Sequence, residues 1–240
     1  MKSKKIILIT GGSRGIGQGL VQRFISEDTK VYLTYRKKNK FIKELQKKKS
    51  NGNEIITIKC DFLNDSFIKK INQVIKKEKK IDLLINNVGD AIKRSKFIIS
   101  EDSLWEKSIK LNLLNPIKLT KKLLPQLNKS KKSVIINISS IASRTGGGGD
   151  SLHYAVSKAG INIFTKGLAK EMKKTVRVVG IAPSAIKTEF QKKYSSSRRI
   201  DKIIKETPLK RIGLIKEVVD LVIFLSSENA SYISGETFFI

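Results

Sequence analysis

Tyr154 and Lys158 lie four residues apart in the run His153-Tyr154-Ala155-Val156-Ser157-Lys158-Ala159-Gly160. On an α-helix, positions i and i+4 share a face, so this spacing holds an ammonium close to a phenol. A free tyrosine titrates near pH ~10, and a neighbouring positive charge favours the phenolate and lowers that value. A phenol tuned in this way passes a proton to or from a substrate oxygen at neutral pH. Isolated pairs of this kind are common on helices as solvated contacts. Its weight therefore depends on what else the chain supplies.

A second chemistry-bearing run is Thr10-Gly11-Gly12-Ser13-Arg14-Gly15-Ile16-Gly17, which follows an apolar stretch and opens an amphipathic one. Glycines there permit a tight turn and close backbone approach, so that a helix N-terminus faces a pyrophosphate. The next apolar stretch ends Leu33-Thr34-Tyr35-Arg36-Lys37-Lys38, with no acid to grip the ribose hydroxyls of NAD. Arg36, together with Arg14, is instead suited to clamp a ribose 2′-phosphate, which points to NADP (NADPH) as cofactor.

The elements that must position these residues alternate along the chain. Strands are predicted at 6–10, 31–35, 54–60 (after an Asn51-Gly52 turn), 83–86, 133–138, 176–181 and 237–240. Helices are predicted at 16–27, 65–77, 105–127 with Pro116 marking a kink or join, 154–173 and 217–225. Continuous apolar strands separated by helices imply an α/β fold with one parallel sheet covered on both faces. Ligands bind such sheets beyond the carboxyl ends of the strands. Those ends hold 11–17, Arg36, Asp61, 86–89, Ser139 and Ser140, and 183–188, so the motifs converge on one site. Residues 189–213 are the least regular, polar and basic, and read as a mobile substrate flap.

The 240 residues, 40% of them hydrophobic, suit a single domain with a full core. Cys60 is the only cysteine, which excludes an internal disulfide and a cysteine metal cluster, and no metal is expected. No apolar run approaches the ~18 residues of a membrane span, and 6–9 is too short for a signal sequence. A cytoplasmic protein is expected. The net charge of +28 arises from 49 Lys+Arg against 21 Asp+Glu. Lysines are spread along the chain beside abundant isoleucine and asparagine, which reads as compositional bias. With no zinc finger, aromatic RNA-binding strand or compact basic arm, nucleic acid is not the expected partner.

With these motifs in order, the chain resembles the short-chain dehydrogenase/reductase family over essentially its whole length. The family's Thr-Gly-x-x-x-Gly-x-Gly matches 10–17, and its Asn-Asn-Ala-Gly matches Asn86-Asn87-Val88-Gly89, with valine for alanine. Its catalytic asparagine, serine and Tyr-x-x-x-Lys match Asn112, Ser140, Tyr154 and Lys158. The gap from Ser140 to Tyr154, through Gly146–Gly149, is one residue longer than in many relatives, which keeps Ser139 as an alternative serine. Pro183-Ser184 replaces the family's Pro-Gly.

The resemblance implies a three-layer Rossmann-type doubly wound parallel sheet and reduction of a carbonyl to a secondary alcohol. Tyr154 would be the proton donor, Ser140 would hold the same oxygen, and Lys158 would tune the phenol and grip the nicotinamide ribose. Asn112 would hold a water relaying protons to Lys158. Gly11, Ser13, Arg14, Gly15, Ile16, Gly17 and Arg36 would bind the phosphate and ribose portions. Asp61 and Phe62 would flank the adenine, Asn86 and Gly89 would line the channel, and Ile186 and Thr188 would meet the nicotinamide. His153 would wall the pocket.

Likeness to 3-oxoacyl-carrier-protein reductases in the glycine turn, the Tyr154 helix and 229–237 implies a carrier-bound 3-oxoacyl thioester. Lys131, Lys132, Lys173 and Lys174 would offer a landing surface for an acidic carrier. A sugar, sugar-nucleotide or other small ketone is the alternative substrate, and a non-catalytic NADP- or nucleic-acid-binding protein the alternative class. A homotetramer through the helices at 105–127 and 154–173 is implied.

Overall fold

The structure is a computed structural model of the chain, and it describes residues 4–25, 28–47, 54–172 and 174–240. Seven strands form one parallel sheet: β1 (Lys5–Ile9), β2 (Thr29–Tyr35), β3 (Glu54–Lys59), β4 (Leu83–Asn86), β5 (Ser133–Ile138), β6 (Val176–Ala182) and β7 (Thr237–Phe239). Their spatial order is β3-β2-β1-β4-β5-β6-β7. The chain winds outward from β1 in one direction, then returns to β4 and winds the other way. The crevice between β1 and β4 is therefore the switch point where such sheets receive a ligand.

The strands alternate in side-chain direction, and this splits the core in two. Ile7, Ile9, Leu83, Ile85, Val134 and Ile136 point to one face. There they meet Leu20, Val21 and Phe24 of α1 (Gly15–Phe24) and Val218, Val222 and Leu225 of α10 (Ile215–Leu225). Ile6, Leu8, Leu84, Ile135 and Val178 point to the other face. They pack on Phe67, Ile71 and Ile75 of α3 (Phe67–Ile75) and on Leu119, Leu123 and Leu127 of α5 (Asn115–Leu127). Each such side chain, fully buried, stabilises the fold by roughly 1.5–3 kcal/mol. The result is the three-layer, doubly wound arrangement expected.

Several local expectations are revised. The long helix expected at 105–127 is α4 (Asp102–Ile109), a wide π-helical turn at Lys110–Leu114, and then α5. Pro116 sits in the first turn of α5, where its missing N–H costs little. The segment read as least regular carries α8 (Glu189–Tyr194) and α9 (Ser197–Glu206). Both are capped: Gln191 N donates to Thr188 Oγ1 at 3.4 Å, and Arg199 N donates to Ser196 Oγ at 3.3 Å. An unforeseen helix, α2 (Lys40–Lys47), buries Ile42 and Leu45 between charged residues. Two further helices lie by the site, α6 (Ala142–Thr145) and α7 (Leu152–Glu171). The Asn51-Gly52 turn and Lys173 lie outside the described residues. Among the described residues, no helix is long and apolar enough to cross a membrane.

Candidate active site

The glycine turn is bolted to the end of β4. Thr10 Oγ1 accepts from Asn87 N at 2.9 Å and from Val88 N at 3.1 Å, and Asn87 Nδ2 donates to Thr10 O at 2.9 Å. Gly11 N donates to Thr34 Oγ1 at 2.9 Å, tying the turn to β2 as well. The turn closes so tightly that a Cβ on Gly17 would lie 2.1 Å from the Gly11 carbonyl oxygen. Only glycine fits there. The start of α1 consequently faces open space with its first amides unencumbered.

That space is a cleft of about 1290 Å³ along the carboxyl edge of the sheet. Gly11, Ser13, Arg14, Gly15, Ile16 and Gly17 form its floor at the α1 end. Arg36 lines it at the tip of β2, and Asp61 and Phe62 line it beyond β3. Gly89, Ile186 and Thr188 line the middle, followed by Ser139, Ser140, Tyr154 and Lys158. The glycine cradle, the adjacent helix N-terminus and the exposed Arg36 fit an extended dinucleotide with an anionic centre.

Two expected contributors stand elsewhere. Asn86 is buried behind the cleft, where its Nδ2 donates to Asn137 Oδ1 at 2.8 Å and to Thr120 Oγ1 at 3.0 Å. Strand alternation turns it inward and leaves Asn87 and Gly89 to face the channel. Asn112 is also fully buried: its Nδ2 donates to Asp90 O and Ser108 O, both at 3.0 Å, and its Oδ1 accepts from Asp90 N at 3.0 Å. It is close to the cleft all the same. A Cβ built on Gly89 would come within 2.8 Å of Lys158 Nζ and 3.0 Å of Asn112 Oδ1, so the three groups surround one point. His153 does not wall the cleft either; it is buried beneath it, with Nε2 3.1 Å from Lys93 O and its ring edge-on to Trp105. Burial lowers its pKa.

Around Tyr154 the electrostatics differ from the simple pair. Lys158 Nζ lies 5.8 Å from the centroid of the phenol ring and donates to Ile138 O at 2.8 Å, rather than reaching the phenol oxygen. Burial dominates both groups. It pushes the phenol up to about 12, against the opposing effect of a hydrogen bond with Ser140, and the nearby Asp90 carboxylate adds to the rise. It brings the Lys158 ammonium down to about 8. The expected lowering of the phenol pKa is thus not met: loss of hydration dominates at both groups, raising the phenol and lowering the ammonium. Of the two serines, Ser139 is committed to the backbone, donating to Lys158 O at 3.0 Å. Ser140 is the one that meets the phenol.

Other residues in the cleft region were not anticipated. Phe190 of α8 lies on Tyr154 with ring centroids 6.0 Å apart, and Tyr194 lies on Phe190 at 4.9 Å. The Tyr194 hydroxyl donates to Asp90 Oδ1, Lys193 Nζ stands 3.4 Å from Asp90 Oδ2, and Arg14 stands 4.0 Å from the same oxygen. Burial and the Asp90 bond keep the Tyr194 phenol protonated well beyond the usual tyrosine range. Two aromatic residues inside an otherwise polar segment were the available signal for α8.

A parallel sheet with a glycine cradle at its switch point and a half-buried tyrosine beside a buried lysine across the cleft defines a nucleotide-dependent oxidoreductase fold. The short chain dehydrogenase family matches residues 5–199, and the chain belongs to that family. Its members act on carbonyl and hydroxyl groups, and this protein is an oxidoreductase of that kind. It is 33% identical over 237 residues to a 3-oxoacyl-[acyl-carrier-protein] reductase of Buchnera aphidicola (98% of this chain, 95% of the relative). It is 34% identical over 240 residues to the protein of that name from Aquifex aeolicus (97% and 94%). Among solved structures, it is similar to a short-chain dehydrogenase/reductase titled glucose/ribitol dehydrogenase from Brucella melitensis. That match has a TM-score of 0.87 at 26% identity and covers 99% of this chain and 95% of the other. Aldohexose dehydrogenase from Thermoplasma acidophilum gives 0.83 at 28%, covering 99% and 92%.

Proposed function

We propose that this protein is an NADPH-dependent reductase of 3-oxoacyl thioesters presented on an acyl carrier. The observation that carries the reading is Tyr154 with Ser140 at its hydroxyl, opposite a glycine cradle, in a chain aligned almost end to end with reductases of that name. The preference for NADPH rests on Arg36 at the tip of β2, where no acid stands to hold ribose hydroxyls.

When bound, the reduced nicotinamide supplies the hydride. Gly11, Ser13, Gly15, Ile16 and Gly17 hold the pyrophosphate, with Arg14 beside them. Arg36 clamps the 2′-phosphate, Asp61 and Phe62 flank the adenine, and Gly89, Ile186 and Thr188 border the nicotinamide end. Tyr154, with its pKa near 12, keeps its proton across the physiological range and is fitted to act as general acid, protonating the forming alkoxide. Ser140 donates a hydrogen bond to the same oxygen and offsets its developing charge. Lys158, with its pKa near 8, exchanges a proton readily at neutral pH while holding the ribose. Asn112, beside Lys158 across Gly89, anchors a water that returns the proton from solvent.

Exposed Phe97, Ile98, Ile99, Leu114, Val156 and Ile163 lie on or near α4, α5 and α7, and we assign those faces to contacts between subunits of a homotetramer. The functional reading is tested by NADPH oxidation with acetoacetyl thioesters against a panel of sugars and simple ketones. Thioesters are expected to give the highest kcat/KM, and a sugar in first place would replace the reading. Tyr154→Phe is expected to abolish turnover with NADPH binding retained; near-normal turnover would remove Tyr154 from its role.

A further inference from the structure

Basic residues are not distributed at random in this molecule. Only nine of the 49 are arginines, yet five of those nine, Arg14, Arg36, Arg94, Arg198 and Arg199, line the cleft. Three lysines do so: Lys37, Lys158 and Lys202. A chain that uses lysine for its surface has kept arginine where a planar, forked donor is of use. Arg14 and Arg36 belong to the cofactor end. Arg94, Arg198 and Arg199 lie beyond Tyr154, around the glycine loop that precedes α7, and the cofactor chemistry does not use them.

This second group comes from two separate segments, and a third, the glycine loop with Asp150, holds it in place. Arg94, in the loop after β4, donates to Asp150 Oδ1 at 2.5 Å. Arg199, from α9, donates to both oxygens of Asp150 at 3.2 Å. Its guanidinium also donates to Gly147 O at 3.4 Å and rests on the loop itself: a Cβ on Gly148 would lie 2.5 Å from Nη2. Gly148 has φ +68°, so glycine there serves both the turn and the seat for the arginine. Arg94 Nε is buried with no hydrogen-bond partner, a donor still unspent. Arg198 and Lys202 line the cleft alongside, with Glu206 3.7 Å from Lys202, so this group carries four cations to two carboxylates, Asp150 and Glu206. The cleft that holds this rim and Tyr154 also has apolar lining, from Ile141, Ala142, Phe190, Ile203 and Phe239.

We infer that Arg94, Arg198 and Arg199 form a phosphate-recognition rim that reads a phosphoester on the far arm of the substrate, with the carbonyl at Tyr154 and the intervening arm along the apolar wall. The inference deepens the thioester reading and rests on it. Asp150 aligns the Arg94 and Arg199 forks across the cleft mouth, and the net positive charge of the rim leaves donors for a doubly charged oxyanion.

The test uses two substrates that differ by one group, acetoacetyl-4′-phosphopantetheine and acetoacetyl-pantetheine, with NADPH and the full-length protein. The phosphorylated thioester is expected to have the higher kcat/KM by about tenfold or more, the scale of one charge-assisted hydrogen bond. Arg199→Gln and Arg94→Gln should bring that ratio toward one, and Arg199→Lys, which keeps the charge and loses the fork, should give an intermediate ratio. Equal kcat/KM for the two thioesters in the unaltered protein overturns the inference and leaves the thioester reading standing. Sensitivity to these substitutions confined to a carrier-protein-bound substrate overturns it too, in favour of contacts with the carrier surface. Failure to reduce either thioester overturns both.

Discussion

Replacing Lys158 by methionine should make the unliganded protein more stable while removing its activity. Lys158 is 3% exposed, and Ile138 O accepts its hydrogen bond. Burial lowers its pKa from 10.5 to about 8, which corresponds to roughly 3 kcal/mol of folding free energy lost at neutral pH. Losing the bond to Ile138 O gives back about 1 kcal/mol. The net gain is about 2 kcal/mol, or a Tm roughly 5 °C higher for a chain of this size. The sign carries a pH signature. A lysine whose folded pKa lies below its unfolded one imposes a cost that is fully present below about 8 and relieved as the pH rises toward 10.5. The advantage of Lys158→Met over the parent should therefore be largest at pH 7 and nearly gone by about pH 10. Urea unfolding of both proteins without cofactor, at pH 7 and at about pH 10, reads this difference directly. A variant less stable than its parent at pH 7, or an advantage unchanged with pH, would refute the account of Lys158 as a buried charge held at a cost.

Arg36→Asp should raise the KM for NADPH at least about tenfold and let NADH compete, since a carboxylate repels a 2′-phosphate and binds ribose hydroxyls; an unchanged ratio of the two cofactors would exclude Arg36 as the selector. Gly17→Ala places a methyl 2.1 Å from the Gly11 carbonyl oxygen, so it should cost about 1–3 kcal/mol by chemical denaturation and weaken NADPH binding in a fluorescence titration. Asp90→Asn removes the charge that Lys193 and Arg14 face and that holds Tyr194. Tryptic cleavage at Lys192, Lys193 or Arg198 should then run about tenfold faster, and an unchanged rate would show that α8 is held by other contacts.

The motifs at the strand ends were legible because each is local: a glycine turn, a strand of period two and an i, i+4 pair are each specified within about ten residues. Their convergence followed from the parallel topology alone. What was not legible depends on pairs distant in sequence. Asp90 faces a partner more than a hundred residues away on α8, and neither segment announces the other. Charged residues around Ile42 and Leu45 concealed α2, and the polar stretch after Thr188 concealed α8 and α9, although Thr188 and Ser196 are ordinary capping residues. The direction of Asn86 was missed because the motif names a dipeptide while strand alternation admits only one of its side chains to the cleft. The phenol's pKa was misjudged for a different reason: proximity of charges can be read from spacing, but loss of hydration cannot.

Asp90 has a consequence for the timing of the reaction. Its peptide is clamped on both sides by Asn112, while its carboxylate holds Tyr194 and Lys193 of the helix whose Phe190 covers the phenol. The covering helix and the asparagine beside Lys158 are thus mechanically one part. On the proposed chemistry, lifting α8 to release product pulls on the same peptide that sets Asn112, so an open mouth and an aligned proton path exclude each other. The enzyme would then be idle whenever it is open, and the rate of that helix movement would set the ceiling on its turnover.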